Sequence, residues 1–231
     1  MAKLTYLQMT NRIMRRINLA DISDVTTATG QALIITNLIN EAQNELYTEI
    51  NWYSLYTTRT FNTVASTATY AVASDFGRNI DMMDTTNNQF LIEDYTKNFD
   101  AVDADANETG NPRYFTIEGT NYRLFPIPAG IYAIRERYWK IPTTLSANTN
   151  TSDLPIEAEN ALLHWAWYKT LEYMNKFEQA DRTRMEFERL LKRARVSNDK
   201  ILDRMLIMNP GFAADGIALP KFPSKYGARY F

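Results

Sequence analysis

The chain has no cysteine in its 231 residues. That excludes disulfides, thiolate catalysis and Cys-ligated zinc. It has one histidine, His164, so a Ser/His/Asp triad or a two-His metal site has almost nothing to start from. His164 lies in "LLHWAW", an aromatic-aliphatic helical face, and reads as a structural residue. Neither GxGxxG nor GxxxxGK[ST] occurs, which removes the common phosphate-cradling loops. No run reaches the roughly 18 apolar residues of a membrane span. The N-terminal "MAKLTYLQMTNRIMRR" has no apolar block followed by a cleavage site, so no secretory signal is expected. Internal repeats and low-complexity segments are also missing. The acids of "DAVDADANE", residues 100–108, have the density of a calcium loop. They lack its glycine at the sixth position and its distant glutamate, and they read as a solvated acidic loop. No catalytic residue, metal or cofactor is expected.

What remains is ordinary in bulk and uneven in detail. Hydrophobic residues make up 45% and charged residues 23%, the values of a globular protein with one large or two small domains. The net charge of −2 hides a separation. Residues 75–108 carry nine acids against Arg78 and Lys97. Residues 1–16 carry Lys3, Arg12, Arg15 and Arg16 with no acid, and residues 221–231 carry Lys221, Lys225 and Arg229 with no acid. Basic ends around an acidic middle suit faces that meet different partners.

Hydrophobic periodicity divides the chain. Tyr6, Met9, Ile13 and Ile17 recur at helical spacing and predict a helix over 4–19. Ile35, Leu38, Ile39, Ala42, Leu46 and Ile50 predict a second over 31–50. From Trp52 to Pro142 the composition turns to Thr, Tyr, Phe and Val punctuated by Asn, Asp, Gly and Pro, which is strand and turn chemistry. Candidate strands are 55–61, 67–73, 89–95, 113–118, 121–126 and 131–139. "EGTN" at 118–121 predicts a short hairpin, and "PIPAG" at 126–130 a second turn with Gly130 free to take a positive φ. In the last strand Tyr132, Ile134, Glu136 and Tyr138 alternate with Ile131, Ala133, Arg135, Arg137 and Trp139, the pattern of a half-buried strand.

After the polar linker "TTLSANTNTSD" comes a third helix. Asp153 stands near its cap, Pro155 in its first turn, and Ala158, Leu162, Trp165 and Ala166 share a face. A fourth is expected over about 178–207, with Phe187, Leu190, Leu191, Ala194, Ile201 and Met205 as its stripe, unless "VSND" at 196–199 breaks it. The last residues show no helical period. The fold expected is α+β: an antiparallel bundle of four main helices from residues 1–51 and 143–208. A β-rich insert, 52–142, sits between helices two and three, and an extended tail, 209–231, follows.

The order of landmarks carries a resemblance. Trp52 follows the second helix, a tyrosine strand runs from Tyr70 to Asp75, and then comes "TGNPRYFTIEGTNYRLFPIPAGIYAIRERYWKIPTTLS" followed by "DLPIEAENALLHWAWYKTLEY". Gly110, Pro112, Tyr114, Phe115, Pro126, Pro128, Tyr138, Pro142, Leu154 and Pro155 mark the same succession. Over roughly residues 30 to 195 the chain resembles the head-to-tail adaptor (connector) proteins of tailed phages. The resemblance implies a structural protein and no enzyme. It implies a ring of copies, twelve in number, beneath the portal protein, extending the DNA channel and docking tail or nozzle proteins. It places the chain in the virion neck, made in the host bacterial cytoplasm, with genomic DNA passing through and no membrane contact.

Two sets of residues are candidates for these contacts. Tyr114, Tyr122, Arg123, Tyr132, Arg135, Arg137 and Trp139 would form a ring or tail interface on the sheet. Phe212, Leu219, Lys221, Phe222, Lys225, Tyr226, Arg229, Tyr230 and Phe231 would let the tail bind the portal. Two other functions compete. A DNA-binding module would use the basic fourth helix, with nine Lys/Arg in 176–204, although Glu178, Asp181, Glu186, Glu188, Asp199 and Asp203 interleave with them. A glycan hydrolase would need a carboxylate pair that nothing in the sequence singles out.

Overall fold

The structure is a computed structural model, and it describes residues 2–102 and 108–207. Helix α1, Tyr6–Arg16, begins at a capping box in which the Thr5 hydroxyl accepts from Gln8 N and the Gln8 side chain accepts from Thr5 N. Helix α2 spans Gly30–Glu49. The predicted stripes are core: Tyr6, Met9, Ile13 and Ile17 are buried, as are Ile35, Ile39, Ala42, Leu46 and Ile50. Helix α4, Ile156–Tyr173, starts from Pro155 as its N-cap and carries Glu157 and Glu159 in the first turn, where the helix dipole favours them. Helix α5 runs from Phe177 to Ile207 without interruption. Asn198, within "VSND", is buried and uses its amide to accept from Tyr53 N and donate to Asn51 O, each at 2.9 Å. It therefore clamps the exit of α2 to α5 instead of ending α5. Met205, placed on the α5 stripe by its spacing, is exposed.

The polar linker is ordered by side chains on α2. Asn40 accepts from Leu145 N and donates to Leu145 O, and Gln43 donates to Thr143 O. Tyr6 N and Leu7 N donate to Asn150 O and Asn148 O, which ties the same linker to α1. Asp153 is not a helix cap; its carboxylate accepts from Thr143 N and lies 3.4 Å from Lys140 Nζ.

Between the helices the described residues make nine strands: β1 Tyr56–Asn62, β2 Thr69–Ala71, β3 Phe76–Asp84, β4 Gln89–Glu93, β5 Thr109–Gly110, β6 Tyr114–Glu118, β7 Asn121–Phe125, β8 Ile127–Pro128 and β9 Ala133–Lys140. A short helix, α3, Thr96–Val102, follows β4. Seven strands form one sheet in the order β1-β9-β3-β4-β6-β7-β2, antiparallel except for β4 beside β6, while β5 and β8 pair separately. The β6–β7 hairpin turns at Gly119, whose φ of +62° needs glycine. Gly130, expected to do the same, has no positive φ.

This architecture corrects the expected bundle of four main helices with a β-rich insert. The protein is α+β with N-terminal helices, a central seven-stranded sheet curled into a half-barrel, and two C-terminal helices. The sheet has an interior of its own, from Met82, Leu91, Phe115, Tyr122, Leu124 and Ile134. A second core lies among α1, α2, α4 and α5. The sheet does not hang from one end of the helices. Trp139 of β9 packs into the helical core, and Arg78 of β3 donates to Tyr47 O at 2.8 Å. At Gly77 a Cβ would sit 1.9 Å from Tyr47 Oη and 2.7 Å from Trp139 O, so only glycine lets α2 approach β3 there. Strand β3 is the one long strand that the composition hides. "FGRNIDMMD" holds Gly, Asn and two Asp, all poor strand formers, and it bulges twice against β9.

Candidate interaction surfaces

Alternation divides the predicted interface residues between two faces of the sheet. Tyr122 and Tyr132 point inward. Tyr122 is fully buried, and Tyr132 packs against the sheet interior. Tyr114, Arg123, Arg135, Arg137 and Trp139 have the opposite parity and lie on the outer face, where Trp139 is taken up by the helices.

The inward face has a polar centre. Glu136, fully buried on β9, accepts from Tyr122 Oη on β7 at 2.6 Å and from Arg59 Nε on β1 at 3.0 Å. Arg59 also donates through Nη2 to Ala71 O on β2 at 2.9 Å. Strands β1 and β2 are the two ends of the sheet and share no ladder. Arg59 therefore bridges the ends, and the Phe61 and Tyr70 rings meet across the same seam at 5.4 Å. Burial, then the hydrogen bond to the Glu136 carboxylate, pushes the Tyr122 phenol far above its ordinary pKa. Tyr138 donates to Asp75 Oδ1 at 2.7 Å, and burial followed by that carboxylate raises its pKa to about 12.

On the outer face, the arginines are largely committed within the chain. Arg137 forks onto Asp81, with Nε to Oδ1 at 2.6 Å. Arg123 donates to Asp100 at 2.9 Å, and Arg135 reaches Met83 Sδ at 3.0 Å. Beside them lies an apolar strip that residue-by-residue reading missed. Phe90 and Ile92 of β4 are exposed, and Ile92 stands in register with exposed Tyr114 of β6. The period-two alternation of "QFLIE" around buried Leu91 was the available signal.

The helices offer a groove of about 550 Å³ between α2 and α4, lined by Glu41, Asn44, Glu45 and Thr48 on one side and Trp165, Tyr168 and Lys169 on the other. Lys169 lies over the Trp165 and Tyr168 rings and pairs with Glu172 at 3.1 Å. Helix α2 carries three acids, Glu41, Glu45 and Glu49, and no base.

Among the described residues no three His, Cys, Asp or Glu side chains are grouped to hold a metal ion. His164 Nδ1 faces Asn160 O at 2.7 Å, its ring edges onto Trp167, and burial lowers its pKa. Both oxygens of Glu136 are occupied by Arg59 and Tyr122. Among the described residues no helix is long and apolar enough to cross a membrane. The nine tail residues expected to bind a portal, Phe212, Leu219, Lys221, Phe222, Lys225, Tyr226, Arg229, Tyr230 and Phe231, lie outside the described residues, as do residues 103–107 of the acidic run 100–108.

The family model described as SU10 adaptor protein matches residues 4–208, a range that takes in every helix and strand of the described residues. No curated protein matches the chain.

Proposed function

We propose, from the premise that this chain belongs to the SU10 adaptor protein family, that it works as a ring of twelve copies at the virion neck, between portal and tail. The chain is a phage adaptor protein, structural rather than catalytic. In this reading the ring extends the DNA channel below the portal protein, and tail or nozzle proteins dock on it. Genomic DNA passes through without sequence-specific binding. The observation that carries the reading is the extent of the family match, residues 4–208, which takes in the helices and the sheet together. The exposed strip of Phe90, Ile92 and Tyr114 gives it a surface of the composition that binding interfaces favour.

The tail is the portal-binding element of this reading. Phe212, Leu219, Phe222, Tyr226, Tyr230 and Phe231 supply apolar anchors, and Lys221, Lys225 and Arg229 space them with positive charge. Pro220 and Pro223 each fix φ of their own residue, and a chain restricted in this way loses less entropy on docking. DNA recognition by α5 has less behind it, because Arg182, Arg184 and Arg189 pair with Glu178, Glu188 and Glu186 on the same helix.

Two measurements test the reading. Mixed with its portal, the chain should sediment as a complex and show a ring by electron microscopy; a chain that stays monomeric there refutes the ring. Removing residues 209–231 should leave helical circular dichroism and cooperative melting intact while abolishing assembly on portal-capped heads. A truncated chain that assembles normally, or that fails to fold, refutes the role given to the tail.

A further inference from the structure

We propose that the outward face of α5 in one copy docks against the groove between α2 and α4 of a second copy. The inference rests on the ring reading above and deepens it by naming the two faces that meet.

Helix α5 has 31 residues, a rod of roughly 46 Å. Its buried positions, Ala180, Phe187 and Ala194 among them, fall on one side against α4. Met185 and Val196 are eleven residues apart, about three helical turns, so they share a stripe. That stripe is diametrically opposite the buried one, and the two side chains are 64% and 49% exposed. Lys192 lies between them on the same stripe, with Arg193 beside it. Lys192, Arg193 and Arg195 form no ion pair among the described residues, although Arg193 acts through space on Glu186. Between Met185 and Val196 the stripe is therefore an apolar pair beside cations that form no ion pair within the chain, and the exposed acids Asp199 and Asp203 follow it toward the C-terminal end of α5.

The groove has the opposite character. Glu41 and Glu45 at its rim have no cationic partner among the described residues, because the one cation lining it, Lys169, is held by Glu172 and the Trp165 and Tyr168 rings. Leu33 is exposed two to three turns before them on the same helix. Within one chain the two charge sets cannot satisfy each other, since α2 and α5 each pack chiefly on α4. Between two copies they can. One copy then offers α5 on one side and the α2–α4 groove on another, which makes the contact heterologous, the kind that closes into rings. Exposed ion pairs add little affinity but set register and exclude like-charged faces, so the apolar pair supplies contact and the charges fix alignment.

The absence of cysteine makes this directly testable, because an introduced pair reports only the intended contact. The full chain carrying Glu45→Cys and Lys192→Cys, assembled on its portal and oxidised, should give a ladder of covalent multimers, and each single variant should give none. Glu41→Lys with Glu45→Lys should lower ring yield by roughly tenfold through like-charge contact, and adding Lys192→Glu with Arg193→Glu to the same chain should restore it. All four positions are exposed, so melting of these variants should match the parent. Rings visible by electron microscopy with no ladder and no response to charge reversal would overturn the proposed faces and leave the ring reading standing. A chain that remains single on its portal would overturn both. A disulfide within monomers between Glu45→Cys and Tyr226→Cys would show that the groove holds the chain's own tail, and would also overturn the proposal.

Discussion

In the helical layer the fully buried positions are mostly apolar: Met9, Ile13, Ile35, Ile39, Leu46, Ala158 and Leu162. The sheet closes its interior around charge instead. Both fully buried carboxylates among the described residues, Asp84 and Glu136, lie there. Asp84 accepts from Thr86 N, Asn87 N and Asn87 Nδ2 and so shapes one turn. Glu136 joins its own strand β9 to β7 and to β1, whose Arg59 is 77 residues away in sequence. A helical layer held by transfer of apolar surface tolerates changes of shape within limits. A sheet whose ends are joined through one carboxylate depends on that group being satisfied.

The largest expected effect separates the two regions most sharply. Glu136→Ala leaves the buried Tyr122 hydroxyl without its acceptor and frees Arg59 from the seam. Breaking a buried pair costs about 3–5 kcal/mol, and the Arg59 side chain is 31% exposed, so the lower end applies. Urea unfolding should show that loss, with the near-ultraviolet signal of the sheet tyrosines affected before helical dichroism. A loss below about 1 kcal/mol, the size of an ordinary hydrogen bond, would show that the sheet interior does not depend on Glu136.

Gly77→Ala comes next, and it probes where the two regions touch. The added Cβ meets the Tyr47 hydroxyl, which can swing away, and the Trp139 carbonyl, which is backbone and cannot. Overpacking of this kind costs about 1–3 kcal/mol. The double variant with Tyr47→Phe should recover only part, because the backbone contact remains. Full recovery would place the whole constraint on the tyrosine.

Alkaline pH sharpens the comparison without mutation. Tyr138 is raised to about 12 and Tyr122 is raised further, both by burial first. A tyrosine with a raised folded pKa holds its proton better folded than unfolded. Its contribution is complete below the unfolded value near 10 and is lost as pH rises toward the folded value. Stability should therefore fall between about pH 10 and 12, and Tyr138→Phe should flatten that fall. An unchanged slope in the variant would remove Tyr138 from the account.

The same contrast explains what could be read from the chain in advance. Met9 and Ile13, or Ile35 and Ile39, announce their helices because their neighbours in space are three and four residues away. The strand alternation around Ile134 and Tyr138 was equally local. Glu136, Arg59 and Tyr122 are brought together by pairing across the sheet, and no spacing marks them as partners. Strand β3 was hidden for a related reason: Gly77 is there to admit Tyr47, and Asp81 and Asp84 to meet Arg137 and a turn, so tertiary demands set its composition. Of the surfaces, the α5 cations were visible as a run, but the Phe90–Ile92–Tyr114 strip needed the β4–β6 register.

The smallest effect belongs to the helical layer and tests how local its stability is. Thr5→Ala removes the hydroxyl that accepts from Gln8 N and leaves one of the first-turn N–H groups of α1 without its cap. Such caps are worth about 0.5–2 kcal/mol. The lower half of that range is expected here, because the site is exposed and water can replace the hydroxyl. The Gln8 side chain can still accept from residue 5 N, and Tyr6 N keeps its bond to Asn150 O, so the start of α1 stays fastened to the linker. Tyr6, Met9 and Ile13 also hold the helix on its core whatever its first turn does. Amide exchange should therefore quicken over the first turn of α1 and remain unchanged at Met9 and beyond, with a melting shift of only a few degrees. If exchange quickened along the whole of α1, the helix would depend on its cap rather than on its packing, and the contrast drawn between the two regions would not hold.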